Sequence, residues 1–199
     1  MRELLLVRHA FAGSNRDGIA SCAIPGEGLT PEGVEQARAL AVALGSEVID
    51  VAMTSQLGRT QETLALALDG RDLPVVVAPE LDEIHFGNFD GGLLDTYRAW
   101  AAAHPADDPP PGAGESRAQA AERFARGLRL VLARPEQHVL VVGHALAIRY
   151  VIDAATGLAP AARMAPIEHA FPYRLGRDDV ERAATLLEGW SRAAQFRAT

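Results

Sequence analysis

The chain has no lysine: all 19 of its basic residues are arginine. No Schiff base can therefore form with a carbonyl substrate or pyridoxal phosphate, and no P-loop lysine can reach a nucleotide phosphate. Cysteine occurs once, at Cys22. An internal disulfide is impossible, and a Cys-rich zinc or iron–sulfur site is excluded. Positive charge is not in excess either. A formal net charge of −7 argues against a general nucleic-acid binder, whose affinity rests on a basic face. No window approaches the ~18 apolar residues that a membrane span needs. The run Leu4-Leu5-Leu6-Val7 is far too short for a signal peptide. The expectation is a cytoplasmic protein of a reducing compartment, with no membrane or nucleic-acid partner.

What is present suffices for one domain with a real core: 199 residues, 48% of them apolar. Alanine, at 37 positions, favours helix between strands. Four apolar runs read as strands: Leu4 to Val7, Val48 to Met53, Pro74 to Ala78 and His138 to Val142. Their hydrophobicity is continuous rather than alternating, which indicates strands covered on both faces of a mainly parallel α/β sheet.

Helix signals fall where crossovers are needed. Thr30-Pro31-Glu32 supplies a hydroxyl N-cap, a proline at the first position and an acid in the first turn, for a helix running to Leu44. Further helices are expected over Gln56 to Leu68, Leu93 to Ala103, Ser116 to Ala133 and Ala145 to Ala155. Ile167 to Leu175 and Val180 to Leu187, joined by Gly176 to Asp179, read as a C-terminal antiparallel hairpin with Pro172 at an edge or bulge. The expected architecture is a three-layer α/β/α sandwich around a mainly parallel sheet. His104 to Gly114, rich in proline and acid, reads as a stiff loop long enough to be a lid or pocket wall.

The chemistry concentrates where strands end. The first strand runs into Arg8-His9, and the fourth into Gly143-His144. In an open parallel sheet, functional groups collect beyond the carboxyl ends of the strands. Both histidines therefore fall on one edge, and become neighbours if their strands pair. The second strand leaves through Thr54-Ser55 into a helix whose first turn carries Arg59, beside N–H groups that already favour an anion. Past the third strand, Glu83 brings a carboxylate to the same rim, with Asp82 next to it as an alternative. Arginine forks match phosphoryl oxygens bidentately. A histidine among arginines stays neutral and nucleophilic near pH 7. A carboxylate near a bound phosphate dianion holds a proton more readily and can act as an acid.

The fragments Arg8-His9-Ala10, Leu29-Thr30-Pro31-Glu32-Gly33, Ser55-Gln56-Leu57-Gly58-Arg59, Leu81 to Gly91, Gly114-Glu115-Ser116 and Val142-Gly143-His144-Ala145 occur in that order. Together they resemble the histidine phosphatase superfamily, in its phosphoglycerate mutase-like branch, over about residues 2 to 187. The resemblance implies a single domain over 1–199, with 84–115 as a cap or substrate-side insertion. It implies a phosphomonoester hydrolase in which His9 becomes a phosphohistidine. Arg8, Arg59 and His144 would hold the phosphoryl oxygens, and Glu83 would exchange protons with the leaving alcohol and water. It further implies that Asn15 contacts the phosphate, that Glu115 and Ser116 line the substrate side, and that no metal or other cofactor is required.

The sequence departs from that pattern at Ala10 and Phe11, where glycine and a polar residue are common, at Gln56, and at Phe89-Asp90-Gly91. None of these removes a catalytic group; they bear on the substrate. Phe11 makes the mouth of the site less polar. His85, His104, His138 and His169 read as ordinary histidines, Cys22 as a loop thiol, and Phe86, Phe89, Tyr97 and Trp100 as core or pocket wall. A metal site from His9, His85, His144 and Glu83 is opposed by the nearby arginines. A small phosphorylated metabolite is the expected partner of a monomer or homodimer. The alternatives are a phosphoglycerate-type mutase on the same site and a non-catalytic phosphate-binding domain.

Overall fold

A computed structural model describes residues 1–198, and Thr199 lies outside the described residues. Its sheet contains strands β1 (Glu3–Arg8), β2 (Val51–Thr54), β3 (Val75–Val77), β4 (His138–Gly143) and β5 (Pro172–Gly176). The order across the sheet is β3-β2-β4-β1-β5. All pairs are parallel except β1 with β5. Among the described residues, seven α-helices accompany them: α1 (Gly13–Arg16), α2 (Pro31–Ala43), α3 (Gly58–Leu68), α4 (Leu94–Ala103), α5 (Arg117–Leu132), α6 (Ala145–Ala155) and α7 (Arg177–Ser191).

The continuous apolar strands divide between two cores because successive side chains point to opposite faces. Leu4 and Leu6 of β1, with Val139 and Val141 of β4, meet Phe124 and Leu128 of α5 and Leu187 of α7. Leu5, Val7, Leu40, Leu64, Leu140 and Val142 form the other layer, against α2 and α3. The three-layer α/β/α expectation holds. Helix starts follow the local chemistry: the Thr30 side chain accepts from Gly33 N–H, with Pro31 in the first turn. Ser116 and Gln119 form a reciprocal capping box at α5.

The C-terminal hairpin is a correction. Its first half contains a strand, β5, which lies antiparallel to β1 at the sheet edge and opens with Pro172. A proline is tolerated there because an edge strand leaves N–H positions unpaired. Its second half, Val180 to Leu187, is helical. Val180, Ala183, Ala184, Leu187 and Trp190 are buried, an i, i+3, i+4, i+7 stripe rather than strand alternation. Gly176 to Asp179 is thus a helix start, where Asp179 Oδ2 accepts from Gly176 N–H (3.2 Å).

Candidate active site

Strand register assembles the site. Arg8 pairs with Gly143 and Thr54 with Val142, so the residues that follow, His9, His144 and Ser55, emerge side by side at the carboxyl edge. His9 N–H donates to the Gly143 carbonyl (3.0 Å), and the two imidazole centroids lie 5.3 Å apart. His9 is 2% exposed, His144 0% and Arg59 2%.

The tautomer of His9 follows from its neighbours. Nδ1 lies 2.8 Å from the Ala10 carbonyl, which can only accept, so Nδ1 carries the proton. Nε2 then holds a lone pair, toward which Arg59 Nε donates at 3.2 Å. Burial, and after it the charges of Arg59 and Arg8, hold the His9 pKa well below the ordinary value. His9 is therefore neutral, with its unprotonated nitrogen turned to Arg59.

His144 is fixed by a hydroxyl chain. Thr60 Oγ1 donates to the Leu57 carbonyl (2.7 Å) and lies 2.7 Å from Ser55 Oγ. Ser55 Oγ accepts from Leu57 N–H (3.2 Å) and lies 2.9 Å from His144 Nε2. This network assigns the proton to Nε2, leaving Nδ1 facing Arg59 Nη2 at 3.3 Å and Glu83 Oε2 at 3.9 Å. Burial and Arg59 lower the His144 pKa well below its usual value too.

Two guanidinium nitrogens stand ready for an anion. Arg8 Nε and Arg59 Nη1 are buried without any hydrogen-bond partner among the described residues. Arg8 Nη1 anchors on the Ile167 carbonyl (2.7 Å) and Arg59 Nη2 on that of Ser21 (2.9 Å). Burial pulls the Arg8 pKa down to about 10 and lowers that of Arg59. An unpaired buried donor costs about 1–3 kcal/mol, more when charged, and phosphoryl oxygens would satisfy both.

The two neighbouring carboxylates are held differently. Asp82 is buried, and its Oδ1 accepts from Gln56 N–H at 2.7 Å, tying the β2–α3 turn. Glu83 is the acid beside His144. Its segment is braced by Arg123, which donates to the carbonyls of Glu80 (3.2 Å), Asp82 (2.8 Å) and Glu83 (3.2 Å). Arg123 in turn grips Glu115 with two bonds, of 2.8 and 2.6 Å. Glu115 is thus engaged as a strut behind Glu83. Ser116 caps α5. Neither is assigned a substrate contact by this arrangement. Asn15 lines a cavity of about 320 Å³ together with Arg8, Phe11, Arg98 and His169.

The 104–114 loop, expected as a lid or pocket wall, packs against the turn that follows Phe86. None of its residues lines either cavity that borders Arg8. It clasps the Gly87–Phe89 turn, with Asn88 N–H on the Pro111 carbonyl (2.7 Å), and buries Ala106. Within 84–115, the cavity lining comes from Leu93 and α4, including Asp95 and Arg98. Phe86 and Tyr97 belong to the core, continued by stacked Trp100 and His104. Burial pushes the Cys22 thiol up to about 12. His85 is exposed, and no cluster of three or more His, Cys, Asp or Glu among the described residues is arranged to hold a metal.

His169, an ordinary histidine by sequence, sits against the site. Its Nδ1 donates to the His9 carbonyl (2.8 Å), and its ring lies 5.5 Å from His9 and edge-on to Phe11. Burial and Arg8 lower its pKa to about 4. Its only sequence signal is position: three residues ahead of the strand that pairs with β1. Ser55 and Thr63, whose hydroxyl accepts from Ala10 N–H (2.9 Å), carry no individual signal.

Known proteins match this arrangement. An adenosylcobalamin/alpha-ribazole phosphatase of Escherichia coli (strain K12) is 34% identical over 170 residues, 81% of this chain and 82% of that protein. A 2,3-bisphosphoglycerate-dependent phosphoglycerate mutase of Parvibaculum lavamentivorans is 31% identical over 75% of this chain and 77% of its own length. The crystal structure of the alpha-ribazole phosphatase from Shigella flexneri superposes with a TM-score of 0.74 at 27% identity, covering 86% of this chain and 89% of that one. The family description "histidine phosphatase superfamily (branch 1)" fits residues 4–187. With His9, Arg59 and His144 joined at one sheet edge and that match spanning nearly the whole sequence, the chain belongs to the histidine phosphatase superfamily, branch 1.

Proposed function

We propose that the protein hydrolyses phosphomonoesters through a phosphohistidine at His9, without a metal ion. The observation that carries this reading is the His9 Nε2 lone pair, fixed by the Nδ1–H bond to Ala10 and surrounded by arginine donors.

A phosphoryl group seated against Arg8 Nε and Arg59 Nη1 presents phosphorus to Nε2. The N–P bond forms as the P–O bond to the alcohol breaks. Glu83 gives its proton to the departing oxygen, and the Nδ1–H bond to Ala10 stabilises the cationic phosphoimidazole. Water then attacks phosphorus, Glu83 takes its proton, and the P–N bond breaks to release phosphate and neutral His9. His144 takes up a proton on Nδ1 under the field of the bound dianion and donates to the phosphoryl oxygens. The arginines and His144 supply the charge stabilisation that magnesium gives in other phosphoryl transfers. Asn15 is a further candidate phosphate contact. Supporting this reading are the phosphatases among the relatives. We take the substrate to be a small phosphorylated metabolite and the protein to act in the cytoplasm as a monomer or homodimer, within one domain whose 84–115 segment serves the substrate side.

The mutase among the relatives favours a second reading, in which the phosphoryl group returns to a bound sugar acid. The test is hydrolysis of p-nitrophenyl phosphate by wild type and His9→Ala, with and without EDTA, alongside mass detection of phosphohistidine in the quenched wild type. Chelator-insensitive activity, lost in the variant and accompanied by a phosphorylated His9, is expected. Chelator-sensitive turnover that survives the substitution would overturn the mechanism, and isomerisation of 3-phosphoglycerate faster than its hydrolysis would favour the mutase.

A further inference from the structure

A buried arginine next to the phosphate cluster has no anionic partner. Arg117 is the first residue of α5 and only 7% exposed. Its Nε donates to the Tyr97 hydroxyl and its Nη1 to the Tyr150 hydroxyl, each at 3.2 Å. The guanidinium carbon lies 5.6 Å from the Tyr97 ring centroid. Burial pushes both tyrosine pKa values above their ordinary range, so the two oxygens are neutral: they satisfy hydrogen bonds and supply no charge. Among the described residues, Arg117 forms no ion pair with a carboxylate.

Such a cation is costly twice over. Burial of an unpaired charge is strongly unfavourable, and a positive side chain in the first turn faces the positive end of the helix dipole. A leucine or glutamine would avoid both costs. What the cation faces supplies a reason to keep it. Arg117 lines a cavity of about 640 Å³ whose other walls include Arg8, Arg98 and Arg163. One carboxylate, Asp95, borders it, and that group is committed to Arg98 at 2.9 Å. Arg8, whose Nε is one of the two unpaired donors of the phosphate cluster, also lines this cavity, so the cavity adjoins that cluster on the Arg8 side.

We propose that Arg117 is an anion subsite for the alcohol end of the substrate. The physiological substrate is then a phosphomonoester whose alcohol carries a second negative group, a carboxylate or another phosphate, that completes the Arg117–Tyr97–Tyr150 cluster. Arg163 stands at the same cavity as an exposed cation that draws this group in, while Arg98 is paired with Asp95. The proposal rests on the phosphatase reading of the His9 site, and it concerns a residue that the reading does not use.

The test compares kcat/KM for a series of carboxyalkyl phosphates of increasing chain length, each beside its primary amide and beside the matching bisphosphate. Hydrolysis of p-nitrophenyl phosphate by the same preparation checks the phosphatase reading separately. Wild type should prefer one anionic form over the neutral amide by about tenfold or more, the ~1.4 kcal/mol of one charge-assisted contact. Preference for the acid identifies a carboxylate, and preference for the bisphosphate a second phosphate. Arg117→Met should bring the anion-to-amide ratio to about one. If that variant does not fold, Arg117→Gln carries the same comparison with the polar contacts partly kept. Turnover of p-nitrophenyl phosphate with no anion preference at any chain length overturns the subsite. So does a preference that persists in the Arg117 variant, which would assign it to Arg98 or Arg163.

Discussion

Arg59 Nε points at His9 Nε2 across 3.2 Å. The pairing is possible only because that nitrogen carries no proton, and it places a fixed cation beside the atom proposed to attack phosphorus. The same guanidinium reaches His144 Nδ1 at 3.3 Å, so one side chain sets the electrostatics of both histidines.

Arg59→Lys tests that relationship. Lysine keeps the charge but loses the planar fork that holds His9, His144 and the Ser21 carbonyl together. The expected fall in kcat/KM is about 10²–10³-fold, the scale of losing one preorganised donor to a developing charge. Activity within a few-fold of wild type would show that a simple positive charge suffices.

Ser55→Ala removes the hydroxyl on which His144 Nε2, Leu57 N–H and Thr60 Oγ1 converge. Buried groups left without partners cost about 1–3 kcal/mol, so the denaturation midpoint should fall. His144 should also lose its fixed tautomer, lowering kcat/KM about tenfold, ~1.4 kcal/mol. A shift in the Nε2 resonances of His144 by NMR separates this from a general loss of stability. An unchanged tautomer with unchanged activity would remove Ser55 from the positioning chain.

Glu115→Gln weakens the grip of Arg123 on the Glu83 segment while leaving Arg8, Arg59 and His144 untouched. Turnover should fall about tenfold, whereas the competitive inhibition constant of inorganic phosphate should barely move. Equal losses in both would instead mean that Glu115 supports phosphate binding.

The pH dependence of folding has a definite sign. His9 and His144 have pKa values well below 6.5 in the folded protein, through burial first, and His169 is lowered to about 4. As pH falls through about 6.5, unfolded histidines take up protons and these folded ones do not. Stability is therefore full above that pH and lost progressively below it, by at most about 1.4 kcal/mol per pH unit for each histidine. Chemical denaturation from pH 7.5 down to 5 should show this decline, and His169→Asn should reduce its slope. A flat profile would mean that the histidines are charged in the fold.

Much of this protein is legible in the sequence because it rests on local rules. The apolar runs of β1, β2 and β4 are covered on both faces as expected, whereas β3, at the sheet edge, leaves Val75 and Val77 exposed. Thr30-Pro31-Glu32 can hardly avoid starting a helix, and Arg8-His9 and Gly143-His144 follow strand ends in the chain itself. The absence of lysine and the single cysteine exclude whole mechanisms on composition alone. Where two periods compete within a short segment, the sequence misleads: Val180 to Leu187 fits a strand until its buried stripe against the sheet reveals α7. The tertiary structure alone decides which residues meet across long separations. His169 reaches His9 because β5 turns antiparallel beside β1. Glu115 faces Arg123 rather than the cavity, and Arg117 is buried between two tyrosines from different helices. Those outcomes depend on helix packing and sheet register, which set contacts between residues that no local pattern in the chain relates.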